Sequence, residues 1–245
     1  MMEFILSLYV KNCGHWDDCY KDINSRRSKP TVYSYKGNDL TFLMYDDYPS
    51  KLKEIIMPPF FLFHHGNMDL LKSNNVIGFN FAPSSKDLEY LINLAIGEQN
   101  PEDVVICMPS KFINLGIISW IELRHYKLIV IHDQQWENFE FKDCLDPKEH
   151  LLISEFNHLI PEIKECEGQS IERLLFAFSD HLFIYKTEAL LDSNKELAKQ
   201  LDKSYGEAKN KPFISCHFVN NVLMYTENEF VDRDAVSDTL HDWGI

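Results

Sequence analysis

Ten histidines and six cysteines could in principle bind a metal or perform nucleophilic chemistry, but their spacing favours neither. His64 and His65 are adjacent in a predicted turn, so their side chains would diverge rather than converge on a metal ion. Cys216 and His217 are neighbours on a predicted strand, where a thiol and its base would also diverge. The cysteines form no CxxC pair and show no zinc-like spacing: Cys13, Cys19, Cys107, Cys144, Cys166 and Cys216. We therefore expect reduced thiols and no metal.

Carboxylates follow two predicted strands, at Asp46-Asp47 and at Ser154-Glu155. Carboxylates at strand ends can act as acids or bases, but solvated turns and helix caps account for them equally well. The strand at Val76 is followed by Phe79-Asn80-Phe81 and not by GxGxxG, and no GxxxxGK[ST] loop occurs. The sequence therefore predicts a protein that is not an enzyme and has no cofactor.

The elements that position these residues begin in the stretch from Met44 to Phe81. Tyr48-Pro49 can open a short helix, because proline is tolerated in the first turn, and Pro58-Pro59 would end it. The apolar run from Phe60 to Phe63 predicts a buried strand, and Val76 to Phe79 predicts another. Leu40 to Tyr45 predicts a strand that pairs near Phe60.

Strands and helices then alternate, which favours a parallel sheet with helices on both faces. Further strands are predicted at 103–107, 127–131, 151–153, 182–185, 213–218 and 222–225. Helices are predicted at 2–10, 16–23, 84–97, 112–125, 161–178 and 193–205, and a first strand at 31–35. The predicted fold class is α/β. A short helical segment at the N-terminus precedes the α/β domain.

Composition limits the surface chemistry of the chain. Its 245 residues are 45% apolar, enough for a substantial core, and its formal net charge is −14. Such an acidic balance argues against a generally basic, duplex-binding surface, so nucleic-acid binding would need a local cationic patch. No stretch is long enough to span a membrane and no signal peptide is recognisable, so we expect a soluble cytoplasmic protein.

Three motifs resemble the DprA/Smf family of DNA-processing proteins. The first is Tyr48-Pro49, Leu52, Ile55, Pro58-Pro59, Leu62, Gly66-Asn67 and Leu70-Leu71, followed at once by an apolar strand. The second is Leu151-Leu152-Ile153-Ser154-Glu155, and the third is Arg173-Leu174-Leu175 with Ser179-Asp180. The three motifs occur in the same order as in the family, and the resemblance covers about residues 40–217.

The resemblance implies a Rossmann-like domain over residues 31–220, after a helical segment over 1–30 and before an acidic tail over 221–245. It also implies binding of single-stranded DNA, assistance in loading the recombinase RecA during DNA recombination or uptake, and homodimerisation. The family's Gly-Ser-Arg turn would fall on Phe79, Asn80 and Phe81, and its Gly-Leu-Ala-Arg-Gly-Ile-Asp turn on Cys107 to Ile113. Neither stretch of this chain contains the glycines or the arginine of the corresponding family turn. The DNA-binding residues expected here are Phe79, Asn80, Phe81, Ser84, Lys86, Ser110, Lys111 and Arg173.

Other interpretations remain open at the level of sequence. Phe79 and Phe81 would stack on bases if exposed, but phenylalanine is mostly buried, so both also fit a core. A second function is a protein-interaction module on the same fold that has lost DNA binding, since both basic turns are missing. A third is an enzyme acting on a small nucleotide.

Overall fold

Strands and helices alternate as the sequence predicts. The computed structural model describes residues 1–25, 35–37, 39–53, 55, 57–97, 99–160, 162–163, 171–185, 213–219 and 222–228, with only the backbone for 184–185 and the last two ranges. The helices are α1 (Met2–Lys11), α2 (Trp16–Ser25), α3 (Ser50–Lys53), α4 (Ser85–Ile96), α5 (Leu115–Leu123) and α6 (Ile171–Phe178). The strands are β1 (Leu40–Phe42), β2 (Phe61–Gly66), β3 (Val76–Phe79), β4 (Val105–Pro109), β5 (Lys127–Gln135), β6 (His150–Phe156), β7 (His181–Tyr185), β8 (Phe213–Val219) and β9 (Val222–Asn228).

The nine described strands form a single sheet in the order β1-β2-β6-β5-β4-β3-β7-β9-β8. The five central strands, from β6 to β7, are parallel, as predicted. Both flanks are antiparallel, because β2 runs against β6 and β9 runs against β7. The sequence did not predict that the flanking strands pair in the antiparallel direction. β9 lies between β7 and β8, within the range assigned to the acidic tail.

Alternating residues of the central strands pack into two cores, so helices cover both faces, as predicted. Cys107 and Ile129 lie in the core that includes residues of α3 and α6, whereas Ile106 and Leu128 lie in the core formed with α4 and α5. Strands buried on both faces read as continuous apolar runs, which is why their sequences were recognisable. A third core joins α1 and α2 to β1 and β2.

Helix boundaries follow local capping. Ser84 and Asp87 form a capping box at the start of α4, and Gly97 with a φ of 68° follows its last residue. The side chain of Asn114 accepts a hydrogen bond from the backbone N–H of Ile117, so α5 begins at Leu115 rather than at the predicted Phe112.

Three other predictions differ from the structure or fall outside the described residues. The predicted turn at His64-His65 is part of β2, which continues to Gly66. Gly66 has a φ of 112° and lies against the carbonyl of His150, leaving no room for a side chain. The strand was predicted at 31–35, of which only Tyr35 is described and is not in a strand, and the helix predicted at 193–205 lies outside the described residues. In the described ranges, no helix is long and apolar enough to cross a bilayer.

One buried histidine fixes the start of β6 against β5. The Nδ1 atom of His150 accepts a hydrogen bond from the backbone N–H of Leu128 at 3.2 Å, so the ring is neutral in the native state. Burial lowers the pKa of His150, and the carboxylates of Glu122, Asp146 and Glu149 only partly oppose this.

We therefore expect folding stability to fall on acidification. Below the ordinary histidine pKa of about 6.5, the unfolded chain takes up a proton that native His150 resists, so stability decreases by up to about 1.4 kcal/mol per pH unit. His150→Asn retains an acceptor for the Leu128 N–H and should show a shallower dependence in urea titrations between pH 7.5 and 5. An unchanged slope in this variant would show that His150 does not contribute.

Candidate functional site at the carboxyl edge of the sheet

The strand order places a topological switch point beside β3. From β3 the chain builds β4, β5 and β6 on one side, then crosses through α6 to place β7 on the other side. Open α/β sheets bind ligands at such reversals, at the carboxyl ends of the strands. Seven of the predicted DNA-binding residues end or follow β3 and β4, and Arg173 lies on the crossover helix α6.

The end of β3 is buried. Phe79 is 0% exposed, and its ring stacks on Phe183 with a centroid separation of 5.3 Å. Asn80 is 2% exposed, and its backbone N–H donates to the carbonyl of Phe183 at 3.0 Å. Phe81 is partly buried and meets Phe79 edge to face at 5.9 Å. The expectation that Phe79 and Asn80 contact DNA is corrected, because both belong to the interior.

The first turn of α4 presents a polar surface beyond Phe81. The hydroxyl of Ser84 donates to the Asp87 carboxylate at 2.6 Å and accepts from the Asp87 N–H at 3.3 Å. Asp87 thereby offsets the partial positive charge of the helix start. Lys86 is exposed in the same turn and forms no ion pair with any described residue.

Ser110, at the end of β4, forms a hydrogen bond with His132 of β5. The Ser110 Oγ and His132 Nδ1 atoms lie 2.7 Å apart. Burial lowers the pKa of His132, although the Asp133 carboxylate opposes this, so the ring is neutral. No described carboxylate accepts from the opposite nitrogen, Nε2, so the pair lacks the third member of a hydrolytic triad. Ser110 is therefore part of a local polar contact that holds the loop.

Lys111 is the exposed cation of the loop after β4. Its Nζ atom lies 3.4 Å from the Glu172 carboxylate at the start of α6 and 5.1 Å from the ring centroid of Phe112. The lysine side chain is 49% exposed, so water and salt screen this pair. Lys111 remains accessible to an anion that approaches the carboxyl edge.

Arg173 is buried and bound to Glu155. Its Nη2 atom lies 2.6 and 2.7 Å from the two carboxylate oxygens, and the side chains are 3% and 5% exposed. The expectation that Arg173 binds phosphate is corrected, because its charge is already neutralised inside the protein. The pair joins α6 to the end of β6, which gives the Ser-Glu and arginine motifs a structural role.

A second ion pair holds the other end of α6. Lys51 of α3 donates to the Asp180 carboxylate at 2.7 Å and to the carbonyl of Phe178, the last residue of α6, at 3.3 Å. Asp180 also accepts from the backbone N–H of Val76 at 2.8 Å, at the start of β3. The motif at Ser179-Asp180 therefore links three elements at the amino edge of the sheet.

The carboxyl edge therefore retains Phe81, Ser84, Lys86 and Lys111 of the eight predicted residues, and Phe79, Asn80, Ser110 and Arg173 are buried. Sequence reasoning missed the partner of Lys111, Glu172, and the partner of Ser110, His132. No sequence signal pairs these residues, since they lie 61 and 22 positions apart. Across the described ranges, no three histidine, cysteine or acidic side chains are placed to hold a metal ion.

Comparison with known proteins supports the fold. The chain resembles the X-ray structure of DNA processing protein A (DprA) from Streptococcus pneumoniae, with a TM-score of 0.51 and 15% identity over 81% of this chain and 79% of that one. No family model matches the sequence, and no curated protein matches it. The likeness shows a DprA-like, Rossmann-like fold.

Removing the Arg173 side chain tests its structural role. Arg173→Met leaves the Glu155 carboxylate buried without its cation, which should lower the free energy of unfolding by about 3–5 kcal/mol in urea titrations. The double variant Arg173→Met/Glu155→Leu should lose less than the single variant, because no charge is left buried. As a matched control, Lys111→Met removes an exposed partner and should cost less than about 1 kcal/mol. Equal costs for the two single variants would contradict the assignment.

Proposed function

We propose that this chain is a DNA-processing protein that binds single-stranded DNA at the carboxyl edge of its sheet. The observation that carries the proposal is the placement of two exposed cations, Lys86 and Lys111, after the neighbouring strands β3 and β4 beside the switch point. The fold likeness to DNA processing protein A supports it.

The exposed residues of the carboxyl edge can make two kinds of contact with a flexible single strand of DNA. Lysine ammonium groups contact phosphates without reading sequence, and aromatic rings stack on bases. Lys86 and Lys111 would supply the first contact and the partly buried Phe81 the second. In the 3.4 Å contact of Lys111 with Glu172 the lysine side chain is 49% exposed and the glutamate 16% exposed, so a phosphate would reach Lys111 from the solvent side and compete with Glu172 for its charge.

In this account the protein performs no bond-making step. It would hold an unpaired strand and assist its transfer to the recombinase RecA, and a homodimer would present two such edges. The few cations predict weak binding with a shallow salt dependence, because each phosphate contact contributes to the slope.

A second candidate function, a protein-interaction module, is favoured by the loss of cations from this edge. Arg173 is neutralised internally by Glu155, and Lys111 shares its charge with Glu172. On a chain with a formal net charge of −14, that leaves little attraction for a polyanion. This candidate predicts no DNA binding and a stable protein partner instead.

Anisotropy titration of a fluorescent oligo-dT of about 20 nucleotides at low salt distinguishes the two candidates. We expect saturable binding in the range of about 1–100 μM. Lys86→Glu/Lys111→Glu should weaken it at least tenfold and reduce the salt slope by about 1.4, the value expected for two lost single-strand phosphate contacts.

A matched control reverses two exposed charges elsewhere. Lys21→Glu/Lys72→Glu makes the same change in net charge on α2 and after β2, and these lysines are 74% and 78% exposed. This variant should bind almost as the wild type does. Equal losses in both variants, or no saturable binding by the wild type, would contradict DNA binding at the carboxyl edge.

A further inference from the structure

The opposite edge of the sheet contains an acidic cleft. It has a volume of about 490 Å3 and lies at the amino ends of β4, β5 and β6. This volume falls within the roughly 300–1,000 Å3 typical of ligand sites. The cleft is lined by Glu102, Glu122, His125, Tyr126, Lys127, Asp146, Glu149 and His150.

The lining contains four carboxylates against one lysine. Glu102, Glu122 and Glu149 form no ion pair with any other described residue, so their charges are not neutralised within this part of the chain. The carboxylates do not converge as metal ligands, since no metal-competent group of side chains occurs among the described residues. Spread over the wall of a cleft, they suit an extended cationic ligand better than a single ion.

His150 adds an observation that is independent of charge. The residue is 3% exposed, and its Nδ1 atom accepts from the Leu128 N–H, so the ring proton lies on Nε2. The described residues provide no acceptor for that Nε2–H, although the ring lines the cleft. The Nε2–H is open to water in the cleft, so a carbonyl oxygen of a bound ligand can accept from it in place of water.

We propose that this cleft, the amino-edge cleft, binds a basic peptide segment of a partner protein. Cationic side chains of the segment pair with Glu122, Asp146 and Glu149, and a backbone carbonyl of the segment accepts from the Nε2–H of His150. A peptide is favoured over a polyamine because a polyamine has cations but no acceptor for His150. The site lies at the edge opposite the DNA-binding residues, so it adds a second partner to the proposed function.

Anisotropy measurements with a fluorescent, acetylated and amidated octapeptide of alternating arginine and glycine test this proposal on the full chain. We expect saturable binding below about 1 mM at low salt. Glu122→Gln/Glu149→Gln should weaken binding at least tenfold, because two charge-assisted hydrogen bonds are lost. His150→Asn keeps the contact with Leu128 and removes the Nε2–H, so it should weaken binding several-fold.

The control variant Glu140→Gln/Asp143→Asn removes two exposed carboxylates that do not line the cleft, and it should bind the peptide normally. Spermine should bind more weakly than the peptide and should be insensitive to His150→Asn. Absence of peptide binding, equal losses in the cleft and control variants, or spermine binding tighter than the peptide would each overturn the proposal. Oligo-dT binding should be unchanged by the cleft variant, and a parallel loss would also count against two separate sites.

Discussion

The buried ion pair between Arg173 and Glu155 is the constraint around which the sheet is arranged. It fixes the start of α6 against the end of β6, the strand at which the parallel centre meets the antiparallel flank. Lys51 and Asp180 fix the other end of the same helix beside β3. Since α6 is the crossover that brings β7 to the far side of β3, these two pairs hold the connection that crosses the switch point. Breaking the buried pair would leave a charge in the core, whereas replacing both members would not.

The same packing separates the chemistry of the two sheet edges. Phe79 stacks on Phe183 and Asn80 is buried, so the base of the loop after β3 is packed in the interior and only residues from Phe81 onward can contact a ligand. The carboxyl edge therefore presents Lys86, Lys111 and a partly buried aromatic ring beside the carboxylates of Asp87 and Glu172. The amino edge presents carboxylates around a histidine donor. In the proposed function, this division would let one edge approach a nucleic acid while the other attracts a basic partner.

The sequence predicted the central strands well, because strands buried on both faces appear as uninterrupted apolar runs such as Val105 to Met108. It also predicted a helix that starts at residue 84, next to the observed start of α4 at Ser85. It did not predict the antiparallel flanks, since an apolar run such as Phe61 to Phe63 carries no information about strand direction. Arg173 was misassigned as a phosphate ligand because a motif shows residue type but not the carboxylate that the fold places beside it. The amino-edge cleft joins residues spread from Glu102 to His150, a grouping that no local pattern reveals.

Hydrogen–deuterium exchange with and without saturating oligo-dT tests most directly whether DNA binds at the carboxyl edge. Binding at this edge should slow the exchange of backbone amides in residues 81–88 and 110–117 and leave the exchange in residues 122–127 and 146–150 unchanged. Protection confined to the amino edge, or none at the carboxyl edge under saturating DNA, would contradict it.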